Sequence, residues 1–340
     1  MRVAVVGAGV IGVTAAVAVK EAFPTFEVTV FAEIFTPHTT GDGSAGLWGP
    51  FVLADTDPRK IVEWSLLTHK WMKNFWKSGR AAETGVSLLP CYRLSCKSYT
   101  KPEWLSVVYG GCELTEKELK RLSKANKTEY TGGVHFVTFT CEPVKLLPYL
   151  MKKLESMNGQ FVQRKITDLK QLGEEGFDIV INCTGFGSKE LVGDKSVSPV
   201  RGQVMRVKGP WLLECTLEEG HHGNYVIPNI DSTVLGGTYQ EGDYDCSINP
   251  SDTKSIKEGC ERIYPSIKKC GIISEWAGLR PGRVQVRLES EIMSSLKKKD
   301  LVIIHNYGHG GSGVTLCWGC ALNVVEILHQ QLKIKNLSKL

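Results

Sequence analysis

Three glycines and one carboxylate at set spacing open the chain. Residues 2–12 read RVAVVGAGVIG: an apolar run at 3–6 leads into a turn carrying Gly7, Gly9 and Gly12. In a strand–turn–helix unit such a turn binds a pyrophosphate. The first glycine permits the tight turn, the second admits the phosphates to the backbone, and the third lets the helix pack closely on the strand. The N-terminal N–H groups of that helix then face the anion. Glu33 stands about twenty residues beyond Gly12, where a carboxylate accepts from a ribose hydroxyl. A second glycine turn, Gly308, Gly310, Gly311 and Gly313, precedes another apolar stretch and offers a second close approach of backbone to ligand. The plain alternative there is a tight connection.

Two side chains outside the turns carry binding chemistry. Arg280, in the run LRPGR, has a planar, always-charged fork suited to a bidentate bond with a carboxylate. A surface ion pair is the alternative, but an apolar neighbour and a proline argue against simple solvation. Tyr225 has a phenol able to donate to the same carboxylate; otherwise it is a buried strand aromatic.

The elements that must position these residues follow from periodicity. Residues 13–21 suit a helix and 28–31 a second strand. The Gly- and Thr-rich stretch 36–50 is a loop beside the nucleotide. Apolar residues at helical spacing (Ile61, Trp64, Leu67, Trp71, Phe75) predict an amphipathic helix over 59–76, with further helices at 116–124 and 143–157. Strands are expected at 161–165 and 177–183, the latter apolar enough to be buried on both faces of a parallel sheet. Segments 200–207, 223–228 and 233–239 read as a separate antiparallel sheet. A buried strand at 301–305 feeds the helix 314–332. The fold class is α/β: a discontinuous Rossmann-like nucleotide domain (1–50, 141–195 and 278–340) with an inserted mixed or antiparallel β-sheet substrate domain (51–140 and 196–277).

Composition excludes several classes. Over 340 residues, 42% apolar and 23% charged content is that of an ordinary globular protein, and a formal charge of +5 is too mild and scattered for a nucleic-acid binder. The run 297–299 of lysines reads as a solvated loop. The apolar segment 3–19 has turn glycines, no cluster of positive charge before it and no convincing cleavage site, so neither a signal nor a membrane span is expected. Eleven cysteines show no disulfide framework and are expected as free thiols. Cys317 and Cys320 are spaced for redox or metal chemistry, yet no second pair follows and packing is the better reading; His221 and His222 lack spaced partners. No metal is expected. Residues 338–340, Ser-Lys-Leu, match a receptor-read peroxisomal address.

GAGVIG, FTPHTT followed by AGLW, INCTG, PVRGQV, GLRPGR, HNYGHGGSG and WGCAL, in that order along the chain, resemble the D-amino-acid oxidase and D-aspartate oxidase family. The resemblance implies non-covalent FAD and oxidative deamination of D-amino acids to 2-oxo acids, ammonia and hydrogen peroxide, by hydride transfer to flavin N5. It places Ala8, Val10 and Ile11 at the pyrophosphate and Glu33 at the ribose. Glu33-Ile34 lacks the basic residue usual in the family, so a basic adenosine contact is expected to be missing. Thr39, Thr40, Ala45, Gly46 and Leu47 are implied at the phosphates and flavin, Ile166 near adenine, and Gly310, Gly311, Ser312, Gly313, Val314 and Thr315 around the isoalloxazine. Arg280, Tyr225 and the Gly311 carbonyl are the implied substrate contacts. His309 is read as structural or flavin-tuning rather than as a base.

The short loop between Trp211 and Tyr225 resembles the acidic-substrate branch. Tyr239, however, stands where that branch usually carries Arg, and 212–223 contains no Arg. A second carboxylate without a partner is expensive to desolvate, so neutral D-amino acids are favoured unless His221 or His222 compensates. The alternatives are a D-aspartate oxidase, an oxidase of glycine or sarcosine type, and a non-catalytic flavin-binding module. Expected partners are a D-amino acid, dioxygen and a peroxisomal import receptor, without nucleic acid or membrane, and a homodimer is the assembly to consider.

Overall fold

The computed structural model describes residues 1–220, 223–293 and 300–337. His221, His222, the lysines at 297–299 and the Ser-Lys-Leu tripeptide lie outside them. Two sheets share the described chain. The first has six strands in the order Arg287–Met293, Leu301–Tyr307, Ile179–Asn182, Arg2–Val6, Glu27–Ala32 and Gln160–Gln163, all parallel except the first pair. The apolar segments at 2–6, 179–182 and 301–307 are its central strands, buried on both faces as continuous apolar runs must be.

Helix Val10–Ala22 is buried almost all round because it lies between this sheet and two other helices, Pro143–Ser156 and Gly313–Leu337. The amphipathic helix Pro58–Lys77 starts at Asp57, whose carboxylate accepts from the Arg59 N–H at 2.9 Å, with Pro58 in the first turn. Its Trp71 stacks on Trp318 of Gly313–Leu337, centroids 4.8 Å apart. This helix, expected in the substrate domain, therefore packs on the nucleotide domain. Glu116–Asn126 carries a full capping box from Thr115 and Glu118.

The second sheet has nine strands and is mainly antiparallel. Ser198–Lys208, Thr233–Gly236, Tyr225–Pro228, Cys215–Glu219 and Val86–Ser95 run side by side through its centre. Sequence periodicity did not reveal the strand Gly271–Gly282, which pairs with Ser198–Lys208 along its length. Glycines and Pro281 blur its alternation, and Pro281 is accommodated because the strand pairs only on one side. The domain boundary expected at 278 falls inside this strand, so the second sheet, and Arg280 with it, extends to Gly282. The helix Pro250–Ile263 and the strand Arg287–Met293 were also unexpected.

Candidate active site

One cavity of about 1160 Å³ lies between the carboxyl ends of the parallel strands and the inner face of the second sheet. That exceeds the roughly 300–1,000 Å³ of a site for a drug-sized ligand. Its nucleotide end is the first glycine turn, and the three glycines have three separate reasons. Gly7 has φ +109°, and a Cβ there would strike the Cys183 carbonyl; a Cβ on Gly12 would strike the Gly7 carbonyl. Gly9 has no atom within 4 Å of its missing Cβ, so its face is open to the cavity.

Around that turn, Ala8, Val10, Ile11, Glu33, Thr39, Thr40, Ala45, Gly46, Leu47 and Ile166 all line the cavity. The loop bearing Thr39 is organised by Asp42, whose carboxylate accepts from the Thr39 N–H (2.8 Å), the Thr39 hydroxyl (2.7 Å) and the Thr36 hydroxyl (2.8 Å). The missing basic neighbour of Glu33 is supplied from elsewhere. Lys165 follows the adjacent strand Gln160–Gln163 and sets its Nζ 3.3 Å from the Glu33 carboxylate at the cavity wall. A cation therefore stands beside Glu33 at the cavity wall, supplied by strand pairing and not by residue 34.

The second glycine turn faces the same cavity through Gly310, Gly311, Gly313 and Val314. Gly310 has φ +52° and lies against the Val52 carbonyl, and its N–H donates to the Pro281 carbonyl at 3.0 Å, tying the turn to the strand of Arg280. Ser312 and Thr315 do not line the cavity. Ser312 Oγ accepts from the Phe51 N–H at 2.6 Å and donates to the Phe51 carbonyl at 2.7 Å, while Thr315 Oγ1 accepts from the Gly49 N–H at 3.1 Å. Both clamp segment 49–51 from behind, because at the start of a helix their side chains point away from the cavity-facing glycines. Gly12 is likewise behind the lining, in the strand–helix contact.

At the far end the Arg280 guanidinium lies over the Gly202 backbone, where any Cβ would intrude. Its Nη1 donates to the carbonyls of Arg201 (3.2 Å) and Thr238 (3.1 Å), and the Phe51 ring centroid is 6.0 Å away. The other cavity-lining cations have acidic partners: Arg93 with Glu219, Arg164 with Glu175 and Lys165 with Glu33. Among the described residues, Arg280 has none. Arg283 instead pairs with Asp194 at 2.9 Å, a structural role.

Tyr225 sits over the backbone of Gly236 and Gly237, with its phenol toward Arg280. Burial pushes the phenol up, against the pull of the guanidinium, so it stays a neutral donor. His309 is buried against the cavity, and desolvation pushes it down to about 3. It is a neutral imidazole at working pH. Phe51, which no motif singled out, forms an edge-to-face pair (centroids 6.1 Å) with Tyr239 beside Arg280; only its place next to the 36–50 loop hinted at it. Cys317 and Cys320 are fully buried with thiols pushed up by desolvation, and no cluster of three or more His, Cys, Asp or Glu among the described residues is placed to hold a metal.

The match to the model of the FAD-dependent oxidoreductase family (DAO) runs over residues 2–327. The chain belongs to that family. A D-amino acid oxidase of Dugesia ryukyuensis is 37% identical over 335 residues, covering 96% of this chain and 97% of that protein. A human D-aspartate oxidase is 36% identical over 331 residues, covering 97% and 95%. The crystal structure of glycine oxidase from Geobacillus kaustophilus superposes with a TM-score of 0.75 at 18% identity, covering 97% and 95% of the two chains. In this oxidoreductase the cavity suits FAD on its own terms. Ser44 Oγ, Asn306 Nδ2 and Oδ1, and His309 Nε2 are buried at its wall without hydrogen-bond partners among the described residues. Orphaned polar atoms inside an apolar cavity call for a polar ligand, and the open face of Gly9 leaves room for a phosphate to reach the backbone.

Proposed function

We propose that this oxidoreductase converts a D-amino acid, dioxygen and water into a 2-oxo acid, ammonia and hydrogen peroxide. The observation that carries the reading is Arg280: a guanidinium held in place by two carbonyls, facing the cavity, without an acidic partner among the described residues. An α-carboxylate completes it in bidentate form, with the neutral Tyr225 hydroxyl donating to the same group. The Gly311 carbonyl, at the wall of the same cavity, accepts from the amine. With carboxylate and amine both fixed, only one face of the α-carbon carries its hydrogen toward the cofactor, and this selects the D-isomer. Bound FAD supplies the two-electron acceptor for that hydrogen and passes the electrons to dioxygen. The substrate amine enters neutral, so no side chain need remove a proton from carbon, and His309 is too weak a base to do so.

Neutral side chains are favoured over acidic ones. Among the described residues, the other cavity-lining Arg and Lys side chains are paired with carboxylates, the Tyr239 hydroxyl donates to the Glu241 carboxylate at 2.7 Å, and Arg206, which acts on Tyr225, is held by the Ser44 carbonyl and Asn229. A second reading, D-aspartate oxidase, draws on the 36% identity to the human protein of that name.

The test is anaerobic mixing of the yellow holoenzyme with D-Ala, D-Met and D-Asp. D-Ala and D-Met are expected to bleach the visible flavin band and L-isomers to leave it; no bleaching by any D-amino acid would refute the reading. Arg280→Ala should keep its FAD while kcat/KM falls by about 10²- to 10⁴-fold, corresponding to loss of a desolvated ion pair worth roughly 3–5 kcal/mol. The same reading delivers the enzyme to the peroxisome through the Ser-Lys-Leu tripeptide; unchanged import after deletion of Leu340 would remove that part.

A further inference from the structure

We infer that Asn306 holds the polar middle of FAD, between its pyrophosphate and its ribityl chain, through both ends of its carboxamide. The inference rests on FAD as the ligand of the cavity. Asn306 lies at the carboxyl end of Leu301–Tyr307, a central parallel strand, where open α/β sheets bind their ligands. It is fully buried, lines the cavity, and neither Nδ2 nor Oδ1 has a partner among the described residues. The Cys183 sulfur, only a weak acceptor, lies against it.

Asn182, on the adjacent strand, is the internal control. It too is fully buried at a strand end, yet it is satisfied by the protein: its Oδ1 accepts from the Thr184 N–H (3.2 Å) and hydroxyl (2.8 Å), and its Nδ2 lies 3.2 Å from His305 Nδ1. An asparagine kept for structure looks like Asn182. Alternation along the strand sends His305 to the Asn182 side and Asn306 to the opposite face, where Val302 and Ile304 pack under the helices Val10–Ala22 and Gly313–Leu337. The N-termini of those helices converge there: a Cβ on Gly313 would be 3.6 Å from Val10 Cγ1. An anion at that convergence gains from both helix dipoles. A carboxamide adds a donor for a phosphate oxygen and an acceptor for a ribityl hydroxyl, with no charge of its own to desolvate.

The test uses purified holoenzyme carrying Asn306→Leu and Asn306→Asp, similar in size to the original. FAD affinity is read by equilibrium dialysis, and Tm is measured without added FAD and at saturating FAD. The expected result is a Kd for FAD raised about tenfold or more in both variants, with a correspondingly smaller FAD-dependent rise in Tm. The Asp variant should be the weaker binder and recover part of its loss in high salt, because its charge faces phosphate. If Asn306 were structural only, Tm would drop equally with and without FAD and the Kd would not move, which overturns the inference. Should Asn306→Leu fail to fold, the near-isosteric Asn306→Asp decides alone by the same two readings.

Discussion

The two ends of the cavity are built by different rules. The nucleotide end is backbone. Gly7, Gly9 and Gly12 lie within six residues, and the contacts that demand glycine there are with neighbouring carbonyls. The carboxylate end is side chains: Arg280 comes from the second sheet, Phe51 from a loop clamped by Ser312, and Tyr225 from a strand beside the Gly236-Gly237 turn. A site made of local backbone tolerates almost no change at its glycines and reads the common features of a nucleotide. A site made of converging side chains is exchangeable at its rim, and specificity resides there.

The largest effect should come from breaking the first end by sterics. Gly12→Ala drives a Cβ into the fixed Gly7 carbonyl and should cost about 3 kcal/mol, seen as a colourless or low-melting protein. Gly9→Ala meets nothing in the protein, so its Tm without FAD should stay near that of the parent while FAD affinity falls. Equal damage from the two would mean that the three glycines do not have separate roles.

A moderate effect is expected at the rim of the other end. Tyr239→Arg places a cation beside Arg280 where the cavity has none to spare, and D-Asp turnover should rise relative to D-Ala by about tenfold, on the scale of one charge-assisted hydrogen bond. FAD binding should not respond. A ratio that stays put would remove Tyr239 from specificity.

The smallest effect concerns neither end but the hydrophobic core, outside the cavity lining. His69 is buried against Trp48, Tyr109 and Phe139, and desolvation lowers it to about 4. The unfolded chain takes up its proton near 6.5 and the folded chain only near 4, so the unfolded state gains stability as pH drops through that window. Tm should therefore decline between pH 6.5 and 4, and His69→Gln should flatten part of the decline. A slope identical in the variant would show that His69 is not responsible.

Legibility in the sequence followed the same division. The first glycine turn, the doubly buried strands and the helices at 58–77 and 143–156 were readable because each signal is local: spacing, periodicity or a cap. The strand Gly271–Gly282 was not, since its pattern is broken by glycines and proline and its pairing with Ser198–Lys208 is remote in sequence. Ser312 and Thr315 were placed against the flavin by likeness of motif. Their side chains hold the loop at 49–51, a role set by which way a side chain leaves the helix start. Lys165 was missed altogether, being a cation with no motif until strand pairing sets it beside Glu33.

By itself, then, the sequence determined that this chain binds a dinucleotide and has a guanidinium suited to a carboxylate, because glycine spacing and residue chemistry are properties of short segments. Only the tertiary structure decided which cations remain unpaired, which buried polar atoms are left for a ligand, and which aromatics stand beside Arg280. Those properties depend on neighbours tens to hundreds of residues away, and no local pattern encodes them.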